Sequence, residues 1–368
     1  MMNKMIVANL VHRPLRSLIS IVAIALEVTL ILLIVGLSLG MLNDSRARQA
    51  GIGADVIVMP PGSSFIVGLT GAPMSMKVGD ILAKLPHVVD VAPVVTHVST
   101  AGTLEVIAGI DLTSYERLSG VFHYLSGGPF QRSNDVLVDD LYARSRHVKV
   151  GDLVEVLNNS FRVAGIVERG KGARVFLEIG ALQDLIGAKD KASIFYLKLD
   201  DPNNADAVVD EIKKVPGMEK YVATSMAYYL SMMTPSNYPG LSTFIDVVIG
   251  ISVIIGFIVI FQAMYTAVME RTREIGILKS MGASKLYIVN VILRETVLLA
   301  IGGIVVGIVF SLVARLGIIH RLPTLPVVVT GGWMLRAAII AIVGALAGAL
   351  YPAYKAAQKD PIDALAYE

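Results

Sequence analysis

The sequence predicts an α-helical membrane protein with four transmembrane helices plus an extracytoplasmic α+β domain. Three observations lead there. Of 368 residues, 54% are hydrophobic and the mean hydropathy is +0.66, above the roughly 45–50% apolar share of soluble domains. Four apolar runs, at about 18–42, 244–268, 297–313 and 334–350, each come close to the ~17–25 residues a bilayer core requires. Between the first and second runs lies a long stretch with the strand and helix patterns of a folded domain. There are no cysteines, which excludes disulfides, thiolate metal sites and cysteine catalysis and leaves the compartment open. A formal net charge of +2 gives no case for nucleic acid as a partner.

Residues 1–17 read as a cytoplasmic amphipathic helix. Met5, Ile6, Asn9, Leu10 and Arg13 follow a helical rhythm, and Pro14 bends the chain into the first span. That span, 18–42, is interrupted by Glu27. It is too long for a signal-peptide apolar region and no clear small-residue cleavage site follows, so it reads as a retained anchor. Orientation follows from short basic flanks. Lys4, Arg13 and Arg16 precede the first span. Arg271, Arg273, Lys279, Lys285 and Arg294 lie between the second and third, and Lys355 and Lys359 follow the fourth. Arg315, Arg321 and Arg336 run against the rule as a minority. Both termini are thus expected in the cytoplasm, and residues 43–240 outside, where 19 Lys+Arg face 22 Asp+Glu, a net of −3.

The outer domain is predicted to open with a strand at 54–59, a helix at 80–85 and a strand at 88–98. A similar order returns as a strand at 193–199, a helix at 204–215 and a strand at 219–222. Two β-α-β halves suggest a ferredoxin-like unit. Between them, about 99–187 is rich in strand signals, including Val136–Asp139, Lys149–Val156 and Phe161–Val167, with a turn at Gly151-Asp152. This β-rich insertion is expected to form a small β-barrel or β-sandwich.

The remaining chain divides into a second span at 241–268, a connector at 269–285, a third span at 286–316, an outer loop at 317–333, a fourth span at 334–354 and a cytoplasmic tail at 355–368. The connector's charge density cannot sit in lipid. Ile275, Leu278 and Met281 fall at helical spacing, with Arg271, Glu274 and Lys285 mostly off that stripe. Such an amphipathic helix at the membrane surface can contact a soluble partner. Within the spans, Glu27 costs several kcal/mol unless it is paired, protonated or facing water. It is a candidate substrate-cleft residue or an interhelical hydrogen-bonding group, with Gln262 as a candidate partner. Gly36/Gly40, Gly303/Gly307 and Gly344/Gly348 let helix backbones approach closely.

Chemical motifs are few. Gly165 to Gly172 approaches the phosphate-loop pattern but puts Gly172 where Ser or Thr must hold Mg²⁺. The six histidines are scattered without metal-ligand spacing, so no metal site and no catalytic constellation is expected.

Three stretches resemble the MacB/FtsX superfamily of ABC transporter permeases, the type VII or mechanotransmission class. Glu270–Ser284 resembles the family's cytoplasmic motif after its second helix. Tyr351–Leu365 resembles its C-terminal tail, and Val148–Val167 the β insertion of its periplasmic domain. The resemblance implies a ferredoxin-like porter unit outside an inner membrane, two copies of the chain, and two copies of a separate ATPase. Glu270, Arg271, Arg273, Glu274, Ile275, Leu278, Lys279, Met281 and Gly282 would be the ATPase-docking residues. ATP and Mg²⁺ would bind the ATPase, leaving no cofactor on this chain and no enzymatic activity of its own. The implied function is export or extraction of a lipophilic or amphipathic compound of the haem, lipid, drug or lipoprotein class from a bacterial cytoplasmic membrane, with a periplasmic or cell-wall partner as a further expectation. Two alternatives are an FtsX-like scaffold that activates a cell-wall hydrolase without transport, and a membrane-anchored periplasmic enzyme.

Overall fold

The computed structural model describes residues 14–63, 72–99, 105–238 and 240–359. The predicted N-terminal amphipathic helix lies outside them apart from its last four residues, as does the tail beyond Lys359. The described chain forms two compact units, a helical unit (1–39, 241–320, 327–368) and an α/β unit (40–240, 321–326).

The helical unit is built on four helices long and apolar enough to cross a membrane. They are α1 (Pro14–Ala50), α8 (Leu241–Glu270), α10 (Lys285–Arg321) and α11 (Gly331–Gln358), with the short α9 (Thr272–Ser280) between α8 and α10. All four overrun their apolar runs, α1 by eight residues at its C-terminal end. Their packing rests on small residues. Ala337, Ala341, Ala345, Ala349 and Ala353 repeat every fourth position of α11 and are buried, so α8 and α11 lie side by side. A Cβ on Gly348 would come 2.8 Å from the Phe257 carbonyl oxygen. Gly303 and Gly307 seat α1 against α10, where added Cβ atoms would meet Ile24 Cβ at 2.6 Å and the Ala25 carbonyl oxygen at 2.7 Å. Thr29 Oγ1 completes that seam, donating to the carbonyls of Ala25 (2.7 Å) and Gly307 (3.2 Å). Gly36 meets the α10–α11 connector, and the Val328 amide donates to its carbonyl at 2.9 Å. Gly40 is buried. Thus Gly303, Gly307 and Gly348 all serve close helix approaches inside one chain.

The α/β unit holds a ten-stranded mixed sheet. Its strands are β1 (Val56–Met59), β3 (Val88–Ser99), β4 (Glu105–Ile110), β5 (Tyr124–Gly127), β6 (Asp135–Asp139), β7 (Leu153–Val156), β8 (Asn159–Val167), β9 (Val175–Glu178), β11 (Ile194–Leu199) and β12 (Val222–Ser225). A separate pair joins β2 (Met74–Ser75) to β10 (Lys191–Ala192). The order β12-β1-β11-β3 is antiparallel throughout, the ferredoxin-like order expected of two β-α-β halves. Helices α2 (Lys77–Leu82) and α6 (Ala205–Lys214) cover one face, packing Val78, Leu82, Val208 and Ile212 on Val56, Phe195 and Leu197. The opposite face carries α3 (Leu112–Ser119) and α7 (Met226–Met232), with Tyr115 and Met226 against Ile57, Val94 and Tyr196.

Two expectations are corrected. The insertion is not a separate barrel or sandwich. It extends the same sheet, because β4 pairs with β3 and β9 pairs with β4, while β5 and β7 pair at β8. Its helices α4 (Asp140–Arg146) and α5 (Ile179–Ile186) close the core around Phe161, Val163 and Leu182. The last strand begins at Val222 rather than Glu219, because Met218–Tyr221 is a turn in which the Tyr221 amide donates to the Met218 carbonyl at 3.0 Å. The tight reversal into β8 uses Leu157 (φ 51°) and Asn158 (φ 61°), the double left-handed geometry of a type I′ hairpin.

Gly348→Val should lower the thermal midpoint of the purified protein in detergent, with an overpacking cost of about 1–3 kcal/mol. Gly317→Ala, where an added Cβ meets nothing within 4 Å, should leave the midpoint unchanged.

Candidate functional site

The predicted connector is a helix end, a break and a second short helix. The backbone of Arg271 leaves helical geometry at φ −107°, ψ 18°. Thr272 Oγ1 donates back to the carbonyls of Val268 (3.2 Å) and Met269 (2.9 Å), holding the break in place. At the other end, the Ala283 amide donates to the Leu278 carbonyl and the Gly282 amide to the Lys279 carbonyl, both at 3.0 Å. This is a Schellman ending. Gly282 sits at φ +95°, where a side chain would be strained, so its role is the turn.

The nine predicted docking residues divide between two faces. Ile275 is buried, and Leu278 packs against the bundle core. The Arg271 guanidinium pairs with Glu295 of α10 at 3.0 Å, with both side chains largely removed from solvent. Lys279 donates to the carbonyl of Ala357 at 3.0 Å and to that of Lys359, neutralising the C-terminal end of α11. These four fix the connector to the helices. Glu270, Arg273, Glu274, Met281 and Gly282 face outward, joined by Ile277, Lys285 and Leu286. Met281 and Leu286 are 71% and 79% exposed, conspicuous for apolar side chains. Beside the connector lies an open apolar cavity of about 290 Å³, walled by Met264, Val268, Ile275, Ile288 and Ile292, with the Arg271–Glu295 pair and the exposed Glu274 and Ile277 at its edge. The connector is therefore pinned at both ends, by Arg271–Glu295 and by Lys279.

The two predicted cleft residues separate. Gln262 is exposed and lines a groove of about 640 Å³ between α1 and α8, with Leu15, Ile19 and Ile258. Glu27 points the other way and is 4% exposed. Gly256 of α8 makes the space for it, since a Cβ there would lie 2.0 Å from Glu27 Oε2. Gly344 of α11 stands 3.8 Å from Oε1 by the same measure. Oε1 is buried with no hydrogen-bond partner among the described residues.

In the α/β unit, the last turns of α1 are held by charge. Arg174 donates to Asp44 at 2.8 Å and to Asp139 at 3.1 Å, and Arg48 pairs with Asp44. Burial pushes the Asp139 carboxyl above its ordinary range, against the Tyr142 amide and Arg174, which pull it down. Burial would also raise Asp135. There the Gln131 amide, the Arg162 guanidinium and the Arg132 amide outweigh it and hold the carboxyl below its usual range. Sequence reasoning missed Glu295, Arg174 and Asp139. The signal available was a charge beside an apolar run: Glu295 after Arg294 and ahead of the third run, Asp139 after Val136–Val138, and Arg174 before Val175–Leu177.

Breaking the buried pair on one side should cost more than removing both charges. Glu295→Ala is expected to destabilise the protein by about 3–5 kcal/mol. Arg271→Met combined with Glu295→Leu should recover most of that loss in a thermal-unfolding double-mutant cycle. Likewise Gly256→Ala should lower the midpoint sharply, and Glu27→Ala in the same chain should restore part of it. Additive losses would show that the two side chains do not share this space.

Comparison with known proteins agrees with this architecture. The model of the MacB-like periplasmic core domain matches residues 17–215, more than half the chain, and that of the FtsX-like permease C-terminal matches residues 247–361. The chain is similar to an uncharacterized ABC transporter permease of Methanocaldococcus jannaschii, 27% identical over 60% of this chain and 58% of that protein. It is also similar to the macrolide export ATP-binding/permease protein MacB of a Shewanella species, 24% identical over 97% of this chain and 59% of that protein. It thus spans under two thirds of the length of these relatives. The crystal structure of the periplasmic region of MacB from Actinobacillus actinomycetemcomitans matches with a TM-score of 0.40 and 16% identity, over 50% of this chain and 94% of that one. The four apolar helices, the mixed α/β unit and the two family matches together make this chain a multi-pass membrane protein with a periplasmic domain, and it belongs to the MacB/FtsX-like family of ABC transporter permeases.

Proposed function

We propose that this chain works with a separate ATPase, which docks on the exposed face of α9 at the cytoplasmic side and drives export or extraction of a lipophilic or amphipathic substrate. The observation that carries the reading is the two-sidedness of α9. One face is welded to α10 and α11 through Arg271–Glu295 and Lys279. The other presents Glu270, Arg273, Glu274 and exposed Ile277, Met281 and Leu286. A protein seated there pushes on two membrane helices at once, because the inner face leaves little freedom to yield. Apolar anchors rimmed by charge suit a protein interface, where the apolar groups give affinity and the charges give register.

ATP and Mg²⁺ are assigned to the partner, and two copies of this chain to the working complex. The lipid-facing groove between α1 and α8 is the proposed lateral entry for substrate between the copies. Motion then passes outward along α1, which continues without interruption into the α/β unit and is clamped there by Arg174.

Reversing the outer charges with Arg273→Glu and Glu274→Lys should reduce ATPase co-purification and transport-coupled hydrolysis at least about tenfold, equivalent to roughly 1.4 kcal/mol, with the thermal midpoint unchanged. Undiminished coupling in that double variant would remove α9 as the docking site.

A further inference from the structure

Apart from the membrane helices, the α/β unit contains a cavity of about 390 Å³ that the ion-pair clamp and the sheet architecture do not need. It is set into the sheet face opposite α2 and α6. Its floor is Ile57 of β1, Val94 of β3, Ala108 of β4 and Tyr196 of β11. Tyr115 from α3 and Tyr229 from α7 wall it, together with Gln49 and Ile52 at the end of α1.

The void has an identifiable origin in the sequence. Thr96 and Ala108 are cross-strand partners, so two small side chains stand opposite each other where large ones would fill the face. Gly172 lets Tyr115 and Ile52 close in at the wall, since a Cβ there would come 3.0 Å from the Tyr115 hydroxyl and 3.1 Å from Ile52. Protein interiors are ordinarily filled to crystal-like density, and unfilled apolar space of this size costs stability. At the mouth, Val98 and Val106 form the next cross-strand pair and are 45% and 44% exposed. Wet valines beside an open apolar cavity are the signature of a binding site more than of a core.

The lining also fixes the ligand's charge. Among the described lining residues there is no Asp, Glu, Lys or Arg. Burial pushes the phenols of Tyr115, Tyr196 and Tyr229 well above their ordinary range, so they stay neutral. The Tyr115 hydroxyl is already committed, donating to the Lys171 carbonyl at 3.0 Å. The polar groups able to meet one polar end of a ligand are Gln49 and Thr96, since His97, paired with Ile107, turns its side chain to the other face of the sheet. An ion entering this space would be desolvated without a counter-charge.

We infer that this cavity binds an uncharged lipophilic small molecule, with its apolar body against the tyrosine rings and its polar end at Gln49 and Thr96. The inference rests on the transporter reading for its biological meaning and names a substrate or effector subsite in the α/β unit, built from none of the residues that line the lateral groove. Because Gln49 and Ile52 form one wall, occupancy is felt at the end of α1.

The test is photolabelling of the full chain in lipid nanodiscs with an uncharged trifluoromethyl-phenyl diazirine probe, with labelled peptides mapped by mass spectrometry. Membrane helices will label in proportion to probe. The cavity peptides around Val98, Val106 and Tyr229 should label saturably, and a non-photoreactive analogue should compete. Thr96→Trp, which fills the space, and Val106→Glu, which charges the mouth, should each cut that saturable labelling about tenfold while the thermal midpoint and the membrane-helix labelling persist. Absent labelling in the α/β unit, or labelling that neither saturates nor responds to both variants, would overturn the inference. ATPase co-purification, read separately, reports on the transporter reading alone, so the two can fail independently.

Discussion

A 37-residue helix is roughly 55 Å long at 1.5 Å per residue, against a hydrocarbon core of about 30 Å. That mismatch in α1 is the constraint on which the rest of this molecule depends. A helix of this length transmits displacement only if both of its halves are gripped. In the helical unit the grip is steric, because Gly303 and Gly307 bring α10 against the Ile24–Val28 turn with no room for a Cβ. In the α/β unit it is electrostatic, with Arg174 bridging Asp44 on α1 and Asp139 at the start of α4. The two grips suit their surroundings. Lipid gives apolar helices little reason to associate, so close backbone approach must supply the energy. A partly buried site beyond the lipid can hold charges, provided each has a partner.

The connector follows the same logic within the helical unit. Arg271–Glu295 and Lys279 consume charges that, in sequence, look available to a partner. Their burial makes α9 an extension of α10 and α11 rather than a hinged arm. What remains exposed for the proposed ATPase is a narrower surface of charge around Ile277, Met281 and Leu286. A docking surface with a rigid back loses little ordering entropy on binding, and so converts more of its contact energy into affinity.

The sequence carried the large-scale order well. The positions of the four apolar helices follow from the run length a bilayer demands, and the ferredoxin-like unit from the strand–helix–strand order repeated at the two ends of the outer domain. The helix ends do not, since all four helices overrun their apolar runs. The start of β12 differs because Tyr221 and Val222 carry the strand signal, while the chain before them is still closing a turn on the Met218 carbonyl. The insertion was misread as a separate barrel because strand pattern says nothing about which edge a strand joins, and β4 joins β3. For the site, the charged connector was legible as a surface segment. Which of its charges point inward was not, since Glu295 lies 24 residues from Arg271 on a different helix. Glu27 was legible as an anomaly, but its glycine recess was not, because Gly256 becomes its complement only once α8 is packed beside α1.

Placing a ligand cavity against the end of α1 has a thermodynamic consequence. If nucleotide-driven motion displaces α1, the wall formed by Gln49 and Ile52 moves and the affinity of the cavity changes. Linkage then requires the reverse, that occupancy shifts the equilibrium between nucleotide states by the same free energy. Coupling of this kind needs differential contact with two states of one element, and α1 is that element because it belongs to both units. No wire of side chains across the membrane is required. The continuous i→i−4 ladder of a single helix, held without slack at each end, is sufficient, and a mutation that loosens either grip would weaken coupling while leaving both sites intact.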